Sequence, residues 1–174
     1  MLDPHLRQVA EEWVKARILG RRKGLPYIPA YIHSLRVEQL LKDHGLSDEV
    51  CLAGLLHDII EDSKTTEVEL AAEGFPEDVI RLIKLCSHDK TIVNRDLRWM
   101  LMIVGLVRAD NPAAWSIKIA DVLDNLKESR AMKKDRADFM IHVKIPVILE
   151  ASRHLVGESS LWLELQKTVL DFNK

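Results

Sequence analysis

Apolar residues recur at spacings of three and four along almost the whole chain of 174 residues. This spacing places them on one face of an α-helix, and no stretch shows the alternation of apolar and polar residues that is typical of a β-strand. Capping residues, glycines and prolines divide the pattern into eight or nine helices, predicted at about 4–19, 31–44, 47–62, 66–72, 76–86, 94–108, 111–129, 134–155 and 160–172. The pattern therefore predicts an all-α helical bundle that forms one domain over residues 1–174.

Proline and glycine refine this division. Asn111 and Pro112 form a capping residue followed by a proline in the first helical turn, which is a strong helix start. Residues 20–30 hold two glycines and two prolines and are predicted as a loop. Pro146 lies inside a predicted helix, where its missing backbone donor should produce a kink.

Composition narrows the class of protein. Hydrophobic residues make up 47% and charged residues 30% of the chain, and 25 basic against 27 acidic residues give a net charge of −2. This balance argues against a nucleic-acid-binding or membrane-surface protein. The longest charge-free apolar run, 99–107, is too short to span a bilayer. With two cysteines and no visible secretory signal, we expect a cytoplasmic protein with reduced thiols.

The segment "LAGLLHDIIEDSKTT" combines an apolar helix with a cluster of titratable side chains. The cluster consists of His57, Asp58, Glu61 and Asp62. If the helix continues through Asp62, residues four apart share a face, and burial without partners would be costly. Residues 50–63 contain no lysine or arginine. The segment therefore predicts either a bound cation or exposure of the last turn to solvent.

Two further polar residues occur within apolar helical segments. His33 lies in "AYIHSLRVEQLL" and Asp121 in "WSIKIADVLDNLKES". Together with His57 and Asp58 they supply nitrogen and oxygen ligands. Such a mixed set suits Mn²⁺, Fe²⁺ or Zn²⁺ better than Ca²⁺ or Mg²⁺. We expect one divalent transition metal, with Mn²⁺ as the first choice and Fe²⁺ or Zn²⁺ as alternatives.

This ordered set resembles the HD-domain metal-dependent phosphohydrolases. Within them, "LLHDIIED", "IKIADVLDN" and "RKGLPYI" are similar to segments of the RelA/SpoT-type hydrolase domain, which removes the 3′-pyrophosphate from (p)ppGpp. The likeness covers about residues 20–130, and Asp124 stands where that family has a histidine or an aromatic residue. The resemblance implies a phosphohydrolase whose metal ligands are His33, His57, Asp58 and Asp121.

The resemblance also implies roles for residues around the metal. Glu61 and Asp62 would position the attacking water or shuttle its proton. Asn125 lies one turn after Asp121 on the same face and would hydrogen-bond the nucleotide or a metal ligand. Apart from the resemblance, Arg22 and Lys23 belong to a basic cluster with Arg17 and Arg21, and we expect them to hold the substrate's phosphates.

Two other functions stay open at the level of sequence. The same site would also suit another phosphate ester, such as a nucleoside monophosphate. A non-catalytic helical binding module is the second alternative. A second His-Asp pair, His88-Asp89, lacks an apolar frame and is not predicted to bind metal. The sequence leaves open the oligomeric state, the physiological metal and the role of residues 131–174.

Overall fold

The computed structural model describes residues 3–172, which fold as α-helices joined by short turns. The α-helices are α1 (Pro4–Arg17), α2 (Ile32–Asp43), α3 (Asp48–Leu56), α4 (Ile59–Asp62), α5 (Glu67–Ala72), α6 (Glu77–Cys86), α7 (Arg95–Ala109), α8 (Pro112–Lys127), α9 (Lys134–Phe139), α10 (Ile145–Val156) and α11 (Ser160–Phe172). A 3₁₀ turn spans Ser129–Ala131 and a π-helical turn spans Met140–Lys144. When α3 with α4, and α9 with α10, are counted as interrupted single helices, the described chain has the predicted number of helices. The all-α class is confirmed.

Helices α3 and α8 form the centre of the bundle. Helices α1, α2 and α6 pack against α3, and α2, α10 and α11 pack against α8. Both central helices are buried on nearly all sides, because apolar residues surround them. Their fully buried side chains include Leu52, Leu55, Leu56, Trp115 and Leu123. Within residues 3–172, no helix has the length and apolar character needed to cross a membrane.

A glycine brings α2 and α3 unusually close together. A Cβ atom added at Gly54 would lie 2.2 Å from the Cδ1 atom of Leu41 on α2. Leu41 is itself fully buried, so a larger residue at position 54 would require the two helices to shift. The close approach holds the second half of α2 against α3.

The predicted loop at residues 20–30 contains a short β-hairpin, so the prediction of no strands is wrong at this point. Strand β1 (Arg21–Arg22) pairs antiparallel with β2 (Leu25–Pro29). Gly24 adopts a φ of +83°, and a Cβ atom there would lie 1.8 Å from the carbonyl oxygen of Ala131. The turn therefore needs glycine both for its backbone conformation and for its contact with the segment after α8. Strand β1 has only two residues, and β2 contains two prolines, so neither shows the pattern by which a strand is predicted.

The predicted helix through Asp62 is interrupted at His57 and Asp58. Helix α3 ends at Leu56, and the one-turn helix α4 begins at Ile59. The backbone N–H of His57 donates to the carbonyl of Gly54, three residues earlier. The prediction that residues 57 and 61 share one continuous helical face is therefore wrong. The break turns His57 and Asp58 towards neighbouring helices.

The proline in the 134–156 region changes the helix type. Residues 134–156 are helical throughout, but Met140–Lys144 form a π-helical turn immediately before Pro146. The N–H of Ile145 donates to the carbonyl of Met140, five residues earlier. A widened turn accommodates the backbone acceptor that Pro146 cannot satisfy. The helix accommodates Pro146 through a π-helical turn, and the kink itself stays a prediction.

Candidate metal centre

Three buried elements bring the four predicted metal ligands together. His33 lies in the first turn of α2, His57 and Asp58 form the break between α3 and α4, and Asp121 lies in the middle of α8. Because α2, α3 and α8 pack against one another, these positions meet inside the bundle. His33, His57 and Asp121 are buried, and Asp58 is partly exposed.

The ligand atoms lie close enough to share one ion. The Nε2 atom of His33 lies 3.1 Å from Asp121 Oδ1 and 3.8 Å from Asp58 Oδ2. The Nε2 atom of His57 lies 3.3 Å from Asp58 Oδ2 and 3.9 Å from Asp121 Oδ1. Ligand atoms of His33, His57 and Asp58 all lie within 4.8 Å of one another. Asp121 approaches this group through its Oδ1 atom.

The orientation of His57 fits a metal ligand. Its Nδ1–H donates to the carbonyl oxygen of Gly54 at 2.8 Å. Since a carbonyl oxygen only accepts, the proton lies on Nδ1, which leaves Nε2 as the atom with a lone pair. Among the described residues, this buried Nε2 atom has no hydrogen-bond partner. A cation between Nε2 and the nearby carboxylates would satisfy all of them.

The charged groups of this centre shift one another's pKa values. Burial lowers the pKa of His33, but hydrogen bonds to Asp121 and Asp124 outweigh that effect and raise the pKa to about 9. Burial raises the pKa of Asp121, but the charge of Lys118 and the hydrogen bond from His33 hold it well below its usual range. The centre therefore favours anionic aspartates that surround a positive charge.

Asp121 has partners on its own helix. Lys118 is buried and its Nζ lies 2.7 Å from Asp121 Oδ2. The side-chain amide of Asn125 donates to Asp121 Oδ1 at 2.6 Å. The structure thus places Asn125 at the predicted site. Lys118 has no role in the sequence analysis, although a lysine three residues before an aspartate on a buried helix is a detectable signal.

Glu61 and Asp62 lie one turn beyond the break, at the edge of the centre. Glu61 Oε2 accepts from the Nδ1 of His88 at 2.7 Å and from the backbone N–H of His88 at 3.2 Å. Burial raises the pKa of Glu61, but the His88 hydrogen bond reverses this and lowers it. Burial and the charges of Asp58 and Glu61 raise the pKa of Asp62. Neither acid is a plain solvated helix end.

His88 and Lys90 are functional candidates that the sequence analysis missed. His88 holds Glu61, and Lys90 Nζ lies 3.3 Å from Asp62 Oδ1. The sequence analysis excludes the His88-Asp89 pair only as a metal site. No local signal links these residues to acids that lie 27 or 28 positions earlier.

The hairpin delivers one of its two predicted phosphate-binding residues to the site. The Nε of Arg22 donates to Glu128 Oε2 at 2.9 Å, and its Nη2 donates to Asn125 Oδ1 at 2.8 Å. Lys23 is exposed at the hairpin turn. Arg22 therefore joins the residues around Asp121, whereas Lys23 faces solvent.

Asp124 is a further residue to which the sequence assigned no role. It is buried on α8, and its Oδ2 lies 2.7 Å from the Nδ1 of His33. Arg22 and Arg36 lie 3.9 Å and 3.8 Å from its carboxylate oxygens. The sequence does contain a signal for this placement, since an acid three residues after Asp121 in a buried helix lies on the same face as Asp121.

A groove opens beside Glu61 and Asp62. Its volume is about 590 Å³, which lies within the usual range of small-molecule sites. Its charged lining includes Arg17, Lys64 and Lys90. A larger cavity of about 710 Å³ lies elsewhere, between the end of α2 and the end of α10, and contains none of the predicted site residues.

The sequence matches a known family over most of its length. The profile of the HD domain family matches residues 10–140. The chain therefore belongs to the HD domain family, and the helices that supply His33, His57, Asp58 and Asp121 lie within the matched region.

Individual relatives carry related names. The chain is 32% identical over 128 residues to a probable guanosine-3′,5′-bis(diphosphate) 3′-pyrophosphohydrolase of Mycoplasma pneumoniae, covering 67% of this chain and 18% of that protein. It is 38% identical over 114 residues to a human guanosine-3′,5′-bis(diphosphate) 3′-pyrophosphohydrolase, covering 62% of this chain and 60% of that protein. The chain thus spans about a fifth of the length of the first bacterial relatives it matches.

Two solved structures share the fold. One comes from work on a metazoan ortholog of SpoT that hydrolyses ppGpp; it has a TM-score of 0.84 and 23% identity, and covers 98% of this chain and 97% of that chain. The other, lmo0812 from Listeria monocytogenes, has a TM-score of 0.67 and 26% identity, and covers 82% of this chain and 94% of that chain.

Proposed function

We propose that this protein is a metal-dependent phosphohydrolase that removes the 3′-pyrophosphate of a (p)ppGpp-like guanosine nucleotide. Hydrolysis of the ester bond at the 3′ position would yield pyrophosphate and a nucleotide with a free 3′-hydroxyl group. The observation that carries the proposal is the buried, unpartnered Nε2 of His57 beside the Asp58 carboxylate, on an HD domain whose relatives are named for this reaction.

His33, His57, Asp58 and Asp121 would hold the metal. The four side chains supply two imidazole nitrogens and two carboxylates, a set that suits Mn²⁺, with Fe²⁺ and Zn²⁺ as alternatives. When bound, the metal would polarise a phosphoryl oxygen and lower the pKa of water. The hydrogen bond from His57 to Gly54 keeps Nε2 directed at the centre.

Glu61 and Asp62 would act on the attacking water. Glu61 is held by two hydrogen bonds from His88, which fix its carboxylate at the edge of the centre. A carboxylate fixed in this way can accept a proton from water, and Asp62, half-exposed in the groove, can pass that proton to solvent.

Two basic regions would bind the anionic substrate. Arg22 and Asn125 are hydrogen-bonded to each other beside Asp121, and Lys23 lies next to Arg22 on the hairpin turn. The groove that Glu61 lines is also lined by Arg17, Lys64 and Lys90. Guanidinium and ammonium groups in these positions would neutralise a pyrophosphate that enters the centre.

A substrate panel tests the proposed function. The purified protein with Mn²⁺ is given ppGpp and, separately, guanosine and adenosine monophosphates, and the release of pyrophosphate and of orthophosphate is measured. We expect pyrophosphate from ppGpp and little orthophosphate from the monophosphates. Orthophosphate from a monophosphate without pyrophosphate from ppGpp would instead support a different HD-domain phosphatase. Absence of turnover with every substrate would support a non-catalytic binding module.

A further inference from the structure

His33 lies between two aspartates of α8. Its Nδ1 is 2.7 Å from Asp124 Oδ2, and its Nε2 is 3.1 Å from Asp121 Oδ1. Asp121 and Asp124 are three residues apart, so both project from the same side of the helix towards the imidazole ring. Each nitrogen of the ring therefore faces one buried carboxylate.

A doubly protonated His33 has no lone pair, so the ring can bind metal at the centre only after Nε2 has lost its proton while Nδ1 keeps one. If the proton lies on Nδ1, it is donated to Asp124, and the lone pair of Nε2 faces Asp121 and Asp58. If the proton lies on Nε2, it is donated to Asp121, and the lone pair faces Asp124, away from the centre. The carboxylate that binds the Nδ1 proton selects the first arrangement.

The distances around Asp124 single out His33 as its nearest partner. Asp124 is buried, and its bond to His33 is much shorter than its distances of 3.9 Å to Arg22 and 3.8 Å to Arg36. Both arginines instead bond to Glu128 directly, Arg22 at 2.9 Å. The closest contact of the Asp124 carboxylate is therefore His33, and neither arginine competes with it at hydrogen-bond distance.

We propose that Asp124 is a positioning residue that fixes the proton of His33 on Nδ1 and thereby directs Nε2 at the metal. This inference rests on the proposed function, since it assumes that His33 binds metal. Asp124 is not itself one of the proposed metal ligands. Its effect passes through the imidazole ring of His33.

The test compares two isosteric variants, Asp124→Asn and Glu128→Gln. Both remove a carboxylate that faces Arg22 and Arg36, but only Asp124 contacts His33. An asparagine amide can donate to Nδ1 as well as accept from it, so the first variant no longer fixes the proton. We expect Asp124→Asn to weaken Mn²⁺ or Zn²⁺ binding about 10- to 100-fold, the usual effect of losing the partner of a ligating histidine. Glu128→Gln should change the affinity by less than about threefold, since it leaves that partner in place.

A second measurement needs no variant. In the wild-type protein loaded with diamagnetic Zn²⁺, nitrogen NMR should show His33 protonated at Nδ1 and bound to metal through Nε2. The inference would be overturned if Asp124→Asn bound metal with wild-type affinity, or if both variants lost the same amount of metal affinity. It would also be overturned if His33 bound the metal through Nδ1. A wild-type protein that binds neither metal would overturn the proposed function as well, so the two failures are distinguishable.

Discussion

The centre of the site and its rim are built from different parts of the chain. The centre, His33, His57, Asp58 and Asp121, comes from buried helices that pack against one another. The rim, Glu61, Asp62, Arg22 and Lys23, lies on the one-turn helix α4 and on the hairpin. The rim residues depend on partners from other segments: His88, Lys90 and Glu128.

The buried centre is suited to holding a metal, and the partly exposed rim is suited to contacting a substrate. Residues on buried helices cannot move without disturbing the core, so the centre can keep its ligands in place before any substrate arrives. The rim is held by hydrogen bonds and ion pairs that lie partly in solvent, where a substrate can compete with them. We therefore expect changes at the centre to remove metal, and changes at the rim to alter turnover while metal stays bound.

The largest effect should follow from loss of a central ligand. His57→Ala and Asp121→Ala should reduce the metal content from about one ion per chain to nearly none, because each variant removes a ligand that no neighbour replaces. Elemental analysis of the purified proteins gives the measurement. His5→Ala and Asp78→Ala, which change exposed residues, serve as matched controls. Unchanged metal content in both central variants would refute the centre as described.

A smaller but still large effect is expected at Glu61. Glu61→Gln keeps the shape of the side chain but removes its ability to accept a proton. Turnover should fall about 10²- to 10⁴-fold, and Asp62→Asn should act in the same direction. Metal content, measured on the same samples, should stay at the wild-type value.

Glu67→Gln is the matched control for Glu61→Gln, since Glu67 is exposed on α5 and pairs with Lys84. Near-wild-type turnover in both Glu61→Gln and Asp62→Asn would show that the two acids have no role in the reaction.

Comparison with the sequence explains which of these features could be predicted. The grouping of His33, His57, Asp58 and Asp121 could be predicted, because polar residues in apolar helices stand out and the resemblance supplies their pairing. The break at His57 could not, because nothing in the apolar pattern marks the residue whose ring bonds to the Gly54 carbonyl. The partner of His33, Asp124, lies 91 residues away along the chain, and that of Glu61, His88, lies 27 residues away.

The contacts of the hairpin were likewise not predictable from the sequence. Its basic residues could be identified from the sequence, but their different positions could not. Arg22 reaches Asn125 and Glu128 because Gly24 allows the turn to lie against Ala131, whereas Lys23 points into solvent. Charge alone does not distinguish two adjacent basic residues.

A moderate effect is expected from Arg22. Charge-assisted contacts contribute roughly 1.5–3 kcal/mol each. Arg22→Ala should therefore lower the specificity constant for ppGpp about ten- to a hundredfold while metal remains bound. Lys23→Ala should have a smaller effect, and Arg81→Ala, an exposed arginine on α6, should have none. Loss of metal in Arg22→Ala would place Arg22 with the centre and not with the rim.

The smallest effect concerns the two cysteines, which lie in the core outside both regions. Burial raises the pKa of Cys51 to about 11 and that of Cys86 to about 12, so both thiols stay protonated near neutral pH. Neither should react with a thiol reagent at pH 8 in the folded protein, and both should react once it is unfolded. Turnover should be unchanged after exposure to the reagent; rapid modification of the native protein would contradict this placement.

In the proposed function, the buried histidines and aspartates hold a metal on which hydrolysis of the 3′-pyrophosphate depends. The most direct test measures pyrophosphate release from ppGpp by the wild-type protein before chelation, after removal of metal and after addition of Mn²⁺. We expect release by the metal-bound protein, none after chelation and recovery when Mn²⁺ is restored. Undiminished release by the metal-free protein, or no release with Mn²⁺ bound at the centre, would contradict the proposed function.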